Sequence, residues 1–143
     1  MTRPIKFLIG LAAALLLAWI WHGPAGQGEK LVNRIDADAK TLVAAAELPG
    51  TSVRTERDPL TRGLILSGTA NELQREGLGS QNGVKDYARA VEGVGQVRWD
   101  DEPARFELPL LAETMIVAAL AFLIGFGLAT PLFNRRRKTS YLD

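Results

Sequence analysis

The chain has 143 residues, a formal net charge of +1 and no cysteine, which excludes disulfide staples and thiolate chemistry. Charge is unevenly spread: residues 22–108 hold 11 Lys and Arg against 14 Asp and Glu, a net of −3, while the two ends carry 6 basic residues beside Glu113 and Asp143. That split is a mark of membrane topology and not of a nucleic-acid footprint, so no nucleic-acid partner is expected.

Arg3 and Lys6 precede Phe7 to Trp21, a stretch without charge. With Ile5 and the flank to Ala25 it is long enough to cross a bilayer, because Lys6 can snorkel toward the headgroups. Trp19 and Trp21 stand at its far end, where indoles favour the interface. Residues 1–25 are therefore expected to form a transmembrane helix that doubles as a signal anchor. The competing reading is a cleaved signal peptide, with a basic start, an apolar core and the small residues Gly23 and Ala25. Both readings place residues 26–106 on the same side of the membrane. No cysteine follows the first helix, so a lipoprotein anchor is excluded.

After a glycine-rich linker, Lys30 to Glu47 reads as an amphipathic helix, with Leu31, Ile35, Ala39, Leu42 and Ala46 at helical spacing. Leu48-Pro49-Gly50 ends it. Ser52 to Arg57 alternates Val53 and Thr55 with Arg54 and Glu56, the period of a strand. Asp58 to Gly63 is a turn, and Leu64 to Thr69 is a second strand that closes a hairpin. Asn71 is placed to cap a short helix, with Gln74 as its capping-box partner and Gly77 as its stop. Gly77 to Gly83 is a loop. Val84, Tyr87, Ala88 and Val91 share a face of another helix, Glu92-Gly93 turns the chain, and Val94 to Trp99 is the last strand. The order helix-strand-strand-helix-strand predicts an α+β domain with helices on one face of a small sheet.

The last apolar stretch, Leu108 to Phe133, has no charge after Glu113. Its uncharged part is about 20 residues, the length that spans ~30 Å of hydrocarbon. Arg135, Arg136, Arg137 and Lys138 follow at once, and such a cluster stays cytoplasmic. Residues 107–134 are read as a second transmembrane helix and 135–143 as a basic cytoplasmic tail. The expected arrangement is a two-pass protein of a bacterial inner membrane, with both termini cytoplasmic and residues 26–106 periplasmic.

The domain's pieces carry a resemblance. Leu31 to Leu48, Leu64-Ile65-Leu66-Ser67-Gly68-Thr69, Val84 to Val91, and Val91-Glu92-Gly93-Val94-Gly95-Gln96-Val97 follow one another in an order similar to that of the BON domain of bacterial envelope proteins. The likeness covers roughly Glu29 to Asp101. It departs in the longer hairpin turn and in the longer, glycine-rich Asn71 to Gly83. The resemblance implies a core built on Leu31, Ile35, Leu42, Leu64, Leu66, Val91, Val94 and Val97, with Gly68 and Gly93 as backbone positions for a turn or bulge. It also implies a non-catalytic module that binds phospholipid or another envelope component. Related units stand beside OmpA-like domains, so an OmpA-like or other envelope protein is an expected partner.

No residue pattern points to catalysis, a cofactor or a metal. His22 is the only histidine and stands at the membrane boundary, so no triad or imidazole ligand set is available. Asp100-Asp101-Glu102 reads as a solvated linker run and not a cation site. The Gly77 to Gly83 loop lacks the Lys-Ser/Thr of a phosphate loop. Both apolar stretches carry rows of small residues, Gly10, Ala14 and Ala18 in the first and Ala121, Gly125 and Ala129 in the second. Such rows let helices approach closely. If they face each other, the spans form a tight hairpin. If they do not, they are free for a partner, and the alternative function is an accessory or structural subunit docking into a larger inner-membrane complex.

Overall fold

The computed structural model describes residues 3–79 and 81–136. Both apolar stretches are helices long and apolar enough to cross a membrane: α1 (Arg3–His22) and α5 (Leu110–Arg136). A helix satisfies its own backbone groups, which hydrocarbon demands. The rings of Phe7 and Phe126 meet at 5.1 Å, and Gly10 faces Phe122, so the two helices run antiparallel side by side.

Between them lies an α+β unit made of α2 (Gln27–Ala44), β1 (Ser52–Arg57), β2 (Leu60–Ser67), α3 (Glu72–Glu76), β3 (Gly77–Leu78), β4 (Gln81–Asn82), α4 (Val84–Arg89) and β5 (Val97–Trp99). The main sheet has the order β1-β2-β5. β1 pairs antiparallel with β2, through Val53 opposite Leu66 and Thr55 opposite Leu64. β5 pairs parallel with β2, through Leu64 opposite Val97 and Leu66 opposite Trp99. A parallel pair needs a long crossover, and α3, the β3-β4 hairpin and α4 supply it. Ile35, Ala39 and Val43 of α2 pack with Val53, Leu64, Leu66, Val84, Ala88, Val91 and Trp99 in one core.

Several expectations are corrected. α2 begins at Gln27 and not Lys30, and its buried face is Val32, Ile35, Ala39 and Val43. Leu31 stays 40% exposed, outside the core, and Leu42 is only half-buried. The apolar pairs at 31/32 and 42/43 allow either rotation. Asp36 settles it: its carboxylate accepts from the Thr55 backbone N–H at 3.2 Å and hydroxyl at 3.3 Å. At 3.6 residues per turn, swinging Asp36 onto β1 carries Leu31 out of the core. The hairpin turn shrinks to Asp58-Pro59 because β2 starts at Leu60, four residues earlier than expected. The Gly77 to Gly83 loop contains the β3-β4 pair. β5 is shorter than expected, with Val94 outside it.

Other expectations hold. β1 has its expected bounds and buries Val53 and Thr55. Asn71 and Gln74 close a reciprocal capping box at 2.8 and 2.9 Å. Gly68 and Gly93 have φ of +131° and +82°. At Gly68 a Cβ would collide with the Gly50 carbonyl, so the turn needs glycine there.

Candidate functional site

The segment that carries the chain from β5 to α5 crosses the sheet face opposite the helices. It meets β2 where glycines leave room. A Cβ at Gly63 or at Gly95 would run into the Glu107 carboxylate, so the two glycines form a slot that this side chain fills. Gly95 donates its backbone N–H to the Arg62 carbonyl at 3.0 Å, which holds the two walls together. A glycine inside a strand marks such a close approach.

The next contact reaches α5 itself. Arg62 of β2 donates through Nη2 to Glu113 Oε1 at 2.8 Å and through Nη1 to the Gly93 carbonyl at 3.4 Å. Both partners of the ion pair are partly buried, with side-chain exposures of 34% and 29%. Glu113 lies in the first turn of α5. Glu113 therefore ties the sheet to α5. At the other end of the domain, His22 closes α1 with its ring against buried Gly28 of α2. The α+β unit thus contacts both long helices, α5 through the Arg62–Glu113 pair and α1 through His22.

Burial pushes the Glu107 carboxyl above its ordinary value of 4.5, aided by the nearby Glu56 charge and opposed by the Gln96 backbone, Thr61 and Arg62. A folded pKa above the unfolded one means the native state holds the proton more tightly. The associated stability is complete below pH 4.5 and is lost as pH rises through the raised value. Glu107→Gln mimics the protonated form. Its unfolding midpoint should match wild type in acid and exceed it at neutral pH, in urea titrations of the full chain. A gap that stays constant with pH, or that opens in acid, contradicts the slot.

The run Asp100 to Glu102 is not a free linker charge cluster. Asp101 accepts twice from Arg75 Nη1, at 2.9 and 2.7 Å, and Glu102 accepts from Lys85 at 2.8 Å. Lys85 is 8% exposed and also holds Glu76 at 2.7 Å. Burial alone would lower its ammonium, but hydrogen bonds and charge from Glu102 and Glu76 outweigh that and raise it. Among the described residues, no three or more of His, Cys, Asp and Glu gather as a metal-ligand set.

Of the small-residue rows, Gly10 and Ala14 are half-buried and Ala18 is buried. Ala121 and Gly125 are exposed and Ala129 is half-buried. Nothing lies within 4 Å of a Cβ built on Gly125. The rows do not face each other. Phe122 and Phe126, one position on from Ala121 and Gly125, turn toward α1 instead, and the Phe122 ring fills the gap at Gly10. A ring seated on a glycine makes many dispersion contacts, which is what holds helices together in lipid.

Ile35, Leu64, Leu66 and Val91 are buried in the domain core, with Val94 and Val97 half-buried against it. Arg135 and Arg136 end α5, while Arg137 and Lys138 lie outside the described residues. Sequence alone does not point to Arg62 and Glu107, because Asp58 to Gly63 reads as a turn and nothing near Gly95 along the chain indicates its neighbour. Compared with protein-family models, curated proteins and solved structures, the chain matches none.

Proposed function

We propose that this chain is a two-pass protein of a bacterial inner membrane whose central α+β unit is a BON-like, non-catalytic binding module. Its ligand is phospholipid or another envelope component, such as an OmpA-like protein. The observation that carries the reading is the Arg62–Glu113 ion pair at 2.8 Å. An unattached domain on a flexible linker would sample many orientations. This one is pinned to the first turn of a membrane-type helix, so one surface stays at the bilayer. The helix-strand-strand-helix-strand order of its larger elements supports the BON-like reading. Basic residues at Arg3, Lys6 and Arg135 to Lys138 support cytoplasmic termini and a periplasmic domain.

One observation favours the alternative, an accessory subunit of a larger inner-membrane complex. Ala121 and Gly125 point away from α1 and leave a small-residue surface for another helix. Photocrosslinking in membranes separates the two. A photoreactive phenylalanine at Phe106, which is 83% exposed beside the membrane entry, should yield adducts with lipid or an envelope protein. The same group at Gly125 should yield lipid adducts only. A single protein captured from Gly125, with nothing from Phe106, would overturn the binding module in favour of the subunit.

A further inference from the structure

A cavity of about 540 Å³ lies beside β5, one of the two edge strands of the main sheet. Lys85 and Arg89 of α4, Arg98 of β5 and Arg105 of the returning segment line it, with Glu102 as the one carboxylate among its lining residues. Glu102 is already taken up by Lys85 at 2.8 Å. The arginines are less committed. Arg98 reaches Glu56 only at 3.4 Å, and Arg89 reaches Asp86 only at 3.4 Å. Arg105 is exposed and makes no ion pair among the described residues. Three arginines therefore line one cavity, and none holds a carboxylate closer than 3.4 Å among the described residues. Planar guanidinium forks suit the oxygens of a phosphate group.

The cavity's position narrows the ligand further. Its Gly95 wall is bonded to Arg62, and Arg62 is bonded to Glu113 in the first turn of α5. Arg105 is followed by the exposed Phe106, and α5 begins at Leu110. An exposed aromatic ring beside a cation, a few residues from a span, suits the headgroup boundary.

We propose that this cavity is a phosphate-binding site that takes the headgroup of an anionic phospholipid, with Arg89, Arg98 and Arg105 as its recognition residues. The proposal rests on the reading of the domain as a module held at the membrane surface. Full-length protein in a neutral detergent should be titrated with short-chain phosphatidylglycerol, short-chain phosphatidylcholine and inorganic phosphate. Arg89→Gln with Arg105→Gln should weaken phosphatidylglycerol binding by about tenfold or more, since each removes a charge-assisted contact. Arg54→Gln with Arg57→Gln, on the opposite edge strand, should leave it unchanged. Both pairs replace exposed side chains, and an unaltered melting temperature confirms folding. Phosphatidylglycerol should bind better than either phosphatidylcholine or phosphate. Equal binding of phosphate, with the same arginine dependence, keeps the site but overturns the lipid as its ligand. No binding, equal affinity in the cavity variant and wild type, or equal loss in both variants overturns the site. Lipid adducts at Phe106 together with arginine-independent affinity would reject the cavity while leaving the binding module standing.

Discussion

Trp99→Ala is expected to destabilise the domain by about 3–5 kcal/mol, the usual loss when a large core side chain is truncated. Trp99 is 0% exposed and is the largest fully buried side chain described. It closes the core at the end of β5, opposite Leu66. Arg75 lies over the indole at 4.4 Å from its centroid and continues to Asp101, so the loss would also loosen the exit toward α5. Small domains have little stability to spare. In detergent-solubilised full chain, Trp99→Ala should make the central domain sensitive to limited proteolysis while α1 and α5 survive as fragments. Trp99→Phe should cost less, because it keeps a ring and removes an indole N–H that is buried without a partner. Resistance of Trp99→Ala equal to wild type would mean that β5 does not close the core.

Gly10→Leu should separate the two long apolar helices, α1 and α5. A Cβ at Gly10 would stand 2.8 Å from the Phe122 ring, and that ring is wedged against Phe7 at 5.4 Å and Phe126 at 6.2 Å. The larger side chain cannot share the space, and lipid offers no hydrophobic force to restore the contact. Two introduced cysteines, one in each span, report the separation because the native chain has none. Crosslinking should fall by about tenfold in Gly10→Leu, the factor that ~1.4 kcal/mol produces. Gly125→Leu should leave it unchanged, since that position opens onto empty space. The reverse pattern would put the second small-residue row back at the helix interface.

How far the sequence could be read depended on the range of the forces involved. Capping and turn chemistry are local, so Asn71, Gln74, Gly77, Gly68 and Gly93 announce their roles within a few residues. Strand alternation is also local, and β1 follows it. The rotation of α2 is not local: Leu31 and Val32 fit a helical face equally well, and a hydrogen bond to Thr55, far along the chain, decides between them. The same is true of the junction. Arg62 and Glu113 are separated by 51 positions, and neither flank suggests the other. Glu107 resembles an ordinary linker acid until Gly63 and Gly95 are brought beside it. In α1 and α5, composition marks a helix apolar enough to cross a membrane but not which face meets its neighbour, because small residues and phenylalanines both pack well in lipid.

Site-directed labelling of single cysteines tests the membrane arrangement most directly. The account predicts that Thr69→Cys, exposed in the central domain, reacts with a membrane-impermeant maleimide in intact spheroplasts. Thr139→Cys, just after the basic cluster, should react only once the membrane is permeabilised. Labelling of Thr139→Cys in intact spheroplasts with protection of Thr69→Cys would invert the protein and place its domain in the cytoplasm. Labelling of both before permeabilisation would remove the second crossing, and with it the clamp between sheet and membrane on which the proposed function depends.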